Sequence, residues 1–318
     1  MKQPNVVISV VMGVYNAEKY LQKAIDSILN QTFHQFEFII VNDGSTDSSL
    51  NILRSYNDIR VRVINQKNSG LPVALNQGIS FAQGRYIARM DADDIALPNR
   101  FEIQLAYMES HPEISVVGGQ VALINSEGSP IGKAFKPLEP EIIDRYLNYA
   151  CPLIHPTYLA RKEVYKIVKG YRESLRTAQD YDFLLRASEA GLRFANVPDE
   201  VLLYRDNPSG ISASSLMRQA RSARILLSLH KQRLKGKPEP SKLLAQLQRT
   251  SFRSTWWFKF LFKFRKKLIT QSKQAGGFYK LALLLLVILV SSLHIELFRS
   301  SWRTQQALNT QRTKPQKK

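Results

Sequence analysis

Asp91-Ala92-Asp93-Asp94 packs three carboxylates into four residues directly after the apolar run Tyr86–Met90. Like charges this close repel unless something positive sits among them. A hard divalent cation such as Mg2+ or Mn2+ takes oxygen ligands, typically from one or two carboxylates and substrate phosphates. There it draws charge off a leaving diphosphate. The same four residues also read as a solvated acidic turn with a helix-capping Asp. A second polar group, Asn42-Asp43-Gly44-Ser45-Thr46-Asp47, offers a carboxylate to a base N–H or a ribose hydroxyl, with Gly44 allowing close backbone approach. Its structural alternative is an Asx-type turn feeding a helix. In Gln179-Asp180-Tyr181-Asp182, Asp180 opens a helix whose dipole favours an ionised carboxylate. Such a group is a general base if an acceptor hydroxyl lies within hydrogen-bond reach; otherwise it is one more acidic residue in a first helical turn. His155-Pro156 lies in an apolar stretch and reads either as a satisfied structural histidine or as a site-lining one.

The elements that must position these residues alternate between strand and helix. Val6–Met12 is continuous and β-branched, as in a strand buried on both faces. Leu21, Ala24, Ile25, Ile28 and Leu29 fall at helical spacing, with Asn16 offering a helix start. Strands are predicted at Glu37–Val41, Arg60–Ile64, Arg85–Met90 and Ile114–Val117. Helices are predicted over Leu50–Tyr56 (capped by Ser45 or Thr46), Val73–Ala82 and Asn99–Ser110. Repeated strand–helix–strand units predict a mostly parallel sheet, whose ligand site lies at the carboxyl ends of the strands. Three polar loops fall there: Tyr15-Asn16, Asn42–Asp47 and Asp91–Asp94. Beyond residue 120 the pattern predicts a hairpin of Val121–Ile124 with Ile131–Phe135, a helix Glu139–Leu147 and a strand Leu153–Leu159. A helix Tyr181–Glu189 and short strands Phe194–Val197 and Val201–Tyr204 follow. There is no internal repeat.

Several chemistries are excluded. The sequence has no G-x-G-x-x-G, no Cys/His cluster at zinc spacing and no G-x-S-x-G elbow. Gly128–Lys133 is one residue short of a P-loop and is followed by Ala134. The single Cys151 excludes an intrachain disulfide, fits a reducing compartment, and reads as a small buried apolar residue. The apolar Val6–Val14 has no small-x-small cleavage site after it and reads as a first strand rather than a signal peptide.

In order and spacing, these residues resemble the family-two nucleotide-sugar glycosyltransferases of the GT-A fold. The matching stretches are Val14-Tyr15-Asn16, Ile39–Asp47, Asn68-Ser69-Gly70-Leu71 with Ala74–Ile79, Gly84–Asp94, His155-Pro156-Thr157 and Ala178–Asp182, covering about residues 4–210. The resemblance implies an α/β fold with a Rossmann-like, mostly parallel central sheet flanked by helices. It also implies an inverting, metal-dependent transfer of a hexosyl group from a nucleotide-diphosphate sugar to a hydroxyl of a glycan or lipid-linked acceptor. Asp43 would hold the base, with Tyr15, Asn16 and Asn68 around the nucleotide. Asp91 and Ala92 would lie by the ribose and sugar, and Asp93 would ligate Mg2+ or Mn2+. Asp180 would be the base, with Asp94, His155 and Gln179 lining the site. Gln179 departs from the commoner Glu before the base, which weakens any paired-carboxylate role. The Q-x-x-R-W element of processive members is absent, so polymer elongation is disfavoured.

Charge divides the chain. Of 45 Lys and Arg and 26 Asp and Glu, giving +19, residues 214–318 hold 23 basic residues against only Glu239 and Glu296. The sequence therefore predicts a nearly neutral catalytic domain, 1–213, and a basic, mainly helical tail, 214–318. In the tail, Trp256–Lys267 interleaves aromatics with cations and Leu281–Val290 is uninterruptedly apolar, within an apolar segment of about 278–298. Basic residues flank that segment on both sides, so the charge rule for orientation is silent. This predicts association with an anionic membrane surface at the cytoplasmic face, as a monotopic helix or one short span. Cell-surface glycan or glycolipid synthesis fits such a tail. The competing readings are a nucleic-acid-binding protein, which has no use for a ten-residue aliphatic run, and an inactive sugar-binding relative, against which the retained aspartates count.

Overall fold

The computed structural model describes residues 6–207 and 216–248. Met1–Thr250 forms one compact unit; the apolar segment 278–298 and the rest of the region after it lie outside the described residues.

The first half follows the predicted alternation: β1 (Ile8–Val14), α1 (Leu21–Leu29), β2 (Phe36–Asp43), α2 (Ser49–Arg54), β3 (Val61–Gln66), α3 (Leu71–Phe81), β4 (Tyr86–Asp91), β5 (Ile95–Ala96) and α4 (Arg100–Ser110). The second half adds β6 (Ile114–Ile124), β7 (Pro130–Ala134), α5 (Pro140–Tyr146), β8 (Leu159–Arg161), α6 (Lys162–Ile167), α7 (Gln179–Glu189), β9 (Arg193–Arg205), α8 (Leu216–Arg233) and α9 (Ser241–Gln248). The sheet order is β3-β2-β1-β4-β8-β6-β9-β5, with β7 on β6. Strands β3, β2, β1 and β4 are parallel to one another, and β6 is parallel to β9. Strand β8 runs antiparallel between β4 and β6.

Period-two alternation explains the two core layers. Ile8, Val10, Met12 and Val14 of β1 pack on one side with Leu21, Ile25 and Ile28 of α1. Val11 faces the other layer, with Leu75 of α3 and Leu184 of α7. Helix α3 lies close enough to the sheet that a Cβ on Gly78 would stand 2.6 Å from Val11 Cγ1. Registers Gly13↔Asp91, Val14↔Asn42 and Asp43↔Gln66 level the carboxyl ends of β1–β4. The amino ends are tied by buried groups: the Ser9 hydroxyl donates to Glu37 Oε1 at 2.5 Å, and the amides of Gln83 and Gly84 donate to Glu37 Oε1 and Ser9 Oγ at 2.6 and 2.8 Å.

Four expectations are corrected. No strand covers 153–159: His155–Thr157 is a 3-10 turn and the strand begins at Leu159. Pro156 fixes φ and lacks an N–H, so it cannot join the ladder. The strand expected at Ile114–Val117 and the hairpin arm expected at Val121–Ile124 form one strand, β6, and the two short strands after 193 form one strand, β9, with register shifts between β6 and β9. The helix at 49 is not capped by Ser45 or Thr46; Asp47 Oδ1 accepts the Ser49 amide at 2.9 Å, while Ser45 Oγ accepts the Asn16 amide at 3.1 Å.

The body also does not end at 213. Leu226 and Leu229 of α8 are fully buried in the layer that holds α7. Arg233 pairs with Glu189 at 2.7 Å, and Arg172 makes two 3.0 Å bonds to Glu239. An amphipathic stripe at 225, 226 and 229 buries apolar area against α7, and part of the basic charge assigned to a tail is used in ion pairs within the body. Among the described residues, no helix is long and apolar enough to cross a membrane.

Candidate active site

Strand β4 ends at Asp91 and the chain turns at once, which brings Asp91, Asp93 and Asp94 together. One carboxylate oxygen from each lies within 4.8 Å of the others. Distant strand residues fix this turn. Arg205, at the end of β9, donates its amide to Asp94 Oδ1 at 2.8 Å and its Nε to the Asp93 carbonyl at 2.7 Å. Asn207 Nδ2 reaches Asp93 Oδ2 at 3.3 Å. Burial, then the charge of Asp91, raises the Asp93 carboxyl above the usual carboxylate range, and Asp94 is pushed well above it for the same reasons. Asp94 Oδ2 is buried with no hydrogen-bond partner. Three clustered oxygen donors with an unsatisfied buried oxygen among them fit a hard divalent cation. Ala92 between them is half-buried against the core.

Arg89 lies beneath this turn, two residues back on β4. It is 3% exposed, and its Nη2 donates to Asp91 Oδ1. Its main chain is pinned on both sides: the amide donates to the Tyr158 carbonyl at 2.9 Å, and the carbonyl accepts Arg100 Nη2 at 2.8 Å. Arg100 is itself fully buried, and burial, then the neighbouring Arg89, lowers it to about 9.

The nucleotide candidates form a connected rim. Asn16 has φ 49 and accepts the Thr46 amide on Oδ1 at 2.8 Å, which ties the loop after β1 to the loop after β2. Tyr15 beside it is 52% exposed. Asp43 is 3% exposed and works as a clamp: Oδ1 accepts Gln66 Nε2 at 2.6 Å and the Ser69 amide at 2.8 Å, and Oδ2 accepts the Gly70 amide at 2.8 Å. A carboxylate has about four acceptor positions, so about one remains for a ligand. Gly44, at φ +70, sits so close to this loop that a Cβ would lie 2.7 Å from the Asn68 amide nitrogen. Gln66 and Ser69 also line an open cleft of about 450 Å3, with Asn76, Gln77 and Glu173.

Asp180 is the second residue of α7, after Gln179 at its start and Ala178 in a left-handed turn at φ 61. Its Oδ2 lies 3.7 Å from Cys151 Sγ. Burial raises the Asp180 carboxyl, and Arg89 is among the groups that pull it back down. Asp182, one turn position on, is fully buried and bonded to Arg186 at 2.8 Å, a structural role. His155 is 7% exposed, and its Nε2 meets the Tyr171 hydroxyl at 2.8 Å. Burial, then Arg89, holds the ring well below the usual histidine range. It is buried against Tyr158 and Tyr171.

The structure thus gathers Asp91, Asp93 and Asp94 into one cluster and joins the loops of Asn16 and Asp43. It sets the guanidinium of Arg89 against the acidic turn, through Asp91. Sequence reasoning missed Arg89 and Arg205. The signal for Arg89 was one charged residue inside the buried run Tyr86–Met90; Arg205 lies 112 residues from Asp93 and has no local signal.

The sequence model of Glycosyl transferase family 2 matches residues 9–167. The putative glycosyltransferase EpsE of Bacillus subtilis is 36% identical over 65% of this chain and 76% of its own. The O-antigen biosynthesis glycosyltransferase WbnJ of Escherichia coli is 34% identical over 66% of this chain and 84% of its own. The crystal structure of S. aureus TarS 1-349 in complex with UDP-GlcNAc superposes with a TM-score of 0.58 at 23% identity, over 70% of this chain and 66% of that one. The family model covers half of the chain and the relatives most of their own length, so the chain belongs to glycosyltransferase family 2.

Proposed function

We propose that this glycosyltransferase moves a hexosyl group from a nucleotide-diphosphate sugar to a hydroxyl acceptor in a single inverting displacement, without processive elongation. The observation that carries the reading is the acidic turn after β4, three clustered carboxylates with a buried unpartnered oxygen among them; the buried Asp180 at the start of α7 is the candidate base. Asp93, with Asp91 and Asp94, would hold Mg2+ or Mn2+, which stabilises charge on the departing diphosphate. Asp91 and Ala92 face the ribose and sugar. Asp43 holds the 66–70 loop with most of its acceptor positions and offers the remaining one to the base, between Tyr15, Asn16 and Asn68. Asp180 accepts the acceptor proton, and the α7 amino end keeps its carboxylate fixed in position. Positioning of both substrates supplies the rest of the rate enhancement.

The acceptor is a glycan or a lipid-linked acceptor, and the basic, apolar region after Thr250 brings the enzyme to the cytoplasmic face of an anionic membrane. The relative named for O-antigen biosynthesis supports this reading. A panel of nucleotide sugars with Mn2+, read as nucleotide release, tests the chemistry, and the anomeric configuration of the product tests inversion. Turnover undiminished in EDTA sinks the metal role. Flotation with vesicles containing anionic lipid tests the membrane role; recovery only in the unbound fraction removes it.

A further inference from the structure

Arg89 is placed where neither a purely structural residue nor a substrate contact accounts for it. Its guanidinium is buried, yet of its nitrogens only Nη2 has an acceptor, Asp91 Oδ1; Nε and Nη1 are buried with no partner. Buried donors normally find acceptors. Asp94 Oδ2, in the same turn, is also buried and unpartnered. With the main chain of Arg89 held at Tyr158 and Arg100, only its side chain is free to change partners. The carboxylates that act on it by charge are Asp91 and Asp94.

Building on the proposed transfer reaction, we infer that Arg89 is a positioning residue: it is the resident counter-ion of the acidic turn, holding Asp91 in the place of a divalent cation and yielding it when the cation binds. Three carboxylates at a strand end repel one another, and the guanidinium offsets that repulsion. When Asp91 exchanges this partner for a cation, the guanidinium, already short of acceptors at Nε and Nη1, is released from the turn.

The test uses the purified full-length chain and Mn2+ alone, followed by the electron paramagnetic resonance signal of free Mn2+. Arg89→Gln is expected to bind Mn2+ about tenfold more tightly than the wild type, because Asp91 no longer has a competing partner. Circular dichroism checks that the variant is folded. Arg89→Lys keeps the charge and is expected to stay within about threefold of the wild type in Mn2+ affinity. A residue with only a structural role would loosen the cation site when replaced. Unchanged or weaker Mn2+ binding in Arg89→Gln overturns the inference; if that variant does not fold, a tenfold loss in Arg89→Lys does so. A wild type that releases no nucleotide from any donor removes the catalytic reading and leaves the Mn2+ result standing on its own.

Discussion

The thiol of Cys151 lies 3.7 Å from Oδ2 of Asp180 and 3.6 Å from the Tyr158 hydroxyl. The carboxylate at the start of α7 is therefore packed among weakly polar groups. Such surroundings oppose its charge, and burial is the leading cause of its raised proton affinity.

A raised carboxyl is ionised only above its folded-state value. Turnover is therefore expected to fall on the acid side at a pH above the ordinary carboxylate range of about 4, and a pH profile of nucleotide release measures this limb. Asp180→Asn is expected to lower turnover by about 10²–10⁴-fold. Because the ionised form is disfavoured in the fold, the same substitution should raise the melting temperature by about 2–4 °C at pH 8 and leave it unchanged at pH 4. An Asn variant that is both active and no more stable at pH 8 contradicts the placement of this group.

Cys151 is expected to be a poor nucleophile. Burial, then the charge of Asp180, pushes its thiol far up, so little thiolate exists near neutrality. Alkylation of the native protein by iodoacetamide at pH 7.5, followed by mass shift, should run at least about tenfold slower than in urea. Equal rates would mean the thiol is open.

Asp43 reaches the backbone of two successive loop residues, Ser69 and Gly70. Asp43→Ala leaves the two amides and Gln66 without their shared acceptor and should cost about 2–4 kcal/mol in denaturant unfolding, since hydrogen bonds to a charged group contribute about 1.5–3 kcal/mol each and water recovers part. Donor KM should rise along with this loss. Asp43→Asn keeps the shape and should lose less. Full stability in the Ala variant would show that the loop holds itself.

Asp93→Ala should abolish Mn2+-dependent nucleotide release while leaving the fold intact, because the group lies in a turn rather than in the core. Its removal also relieves the repulsion felt by Asp94. Isothermal titration with Mn2+ checks the loss of the site, and undiminished heat would locate the cation elsewhere.

Gly78→Ala should destabilise the body by about 1–3 kcal/mol, as overpacking does, since its Cβ would meet Val11 Cγ1 at 2.6 Å. Chemical denaturation measures this, and turnover per folded molecule should stay near that of the wild type.

The alternation of Val6–Met12, Glu37–Val41 and Arg85–Met90 with helical stretches was enough to predict the parallel half of the sheet. Strand register then did the rest, because level strand ends bring Asn16, Asp43 and Asp91 to one rim without any long-range information. What could not be read locally depended on distant partners. Arg205 reaches Asp93 and Asp94 from a strand 112 residues away, and nothing near it in sequence marks that role. Leu226 and Leu229 looked like part of a basic tail because charge dominates that stretch, whereas their burial depends on the face that α7 presents. The 155–157 turn was masked by apolar neighbours that resemble a strand, and Pro156 outweighed them.

The amino ends of β1 and β2 are tied by Ser9, Glu37 and the Gln83–Gly84 amides, a full strand length from the acidic turn. Lesions in this protein should therefore sort by geography. Random changes at the Ser9–Glu37 end should reduce the amount of folded enzyme recovered from cells while leaving each surviving molecule as fast as before. Changes at the Asp91 rim should do the reverse. A library scored separately for abundance and for specific activity would resolve the sheet into two populations, and directed evolution toward a new donor could draw on the rim while leaving the far end untouched.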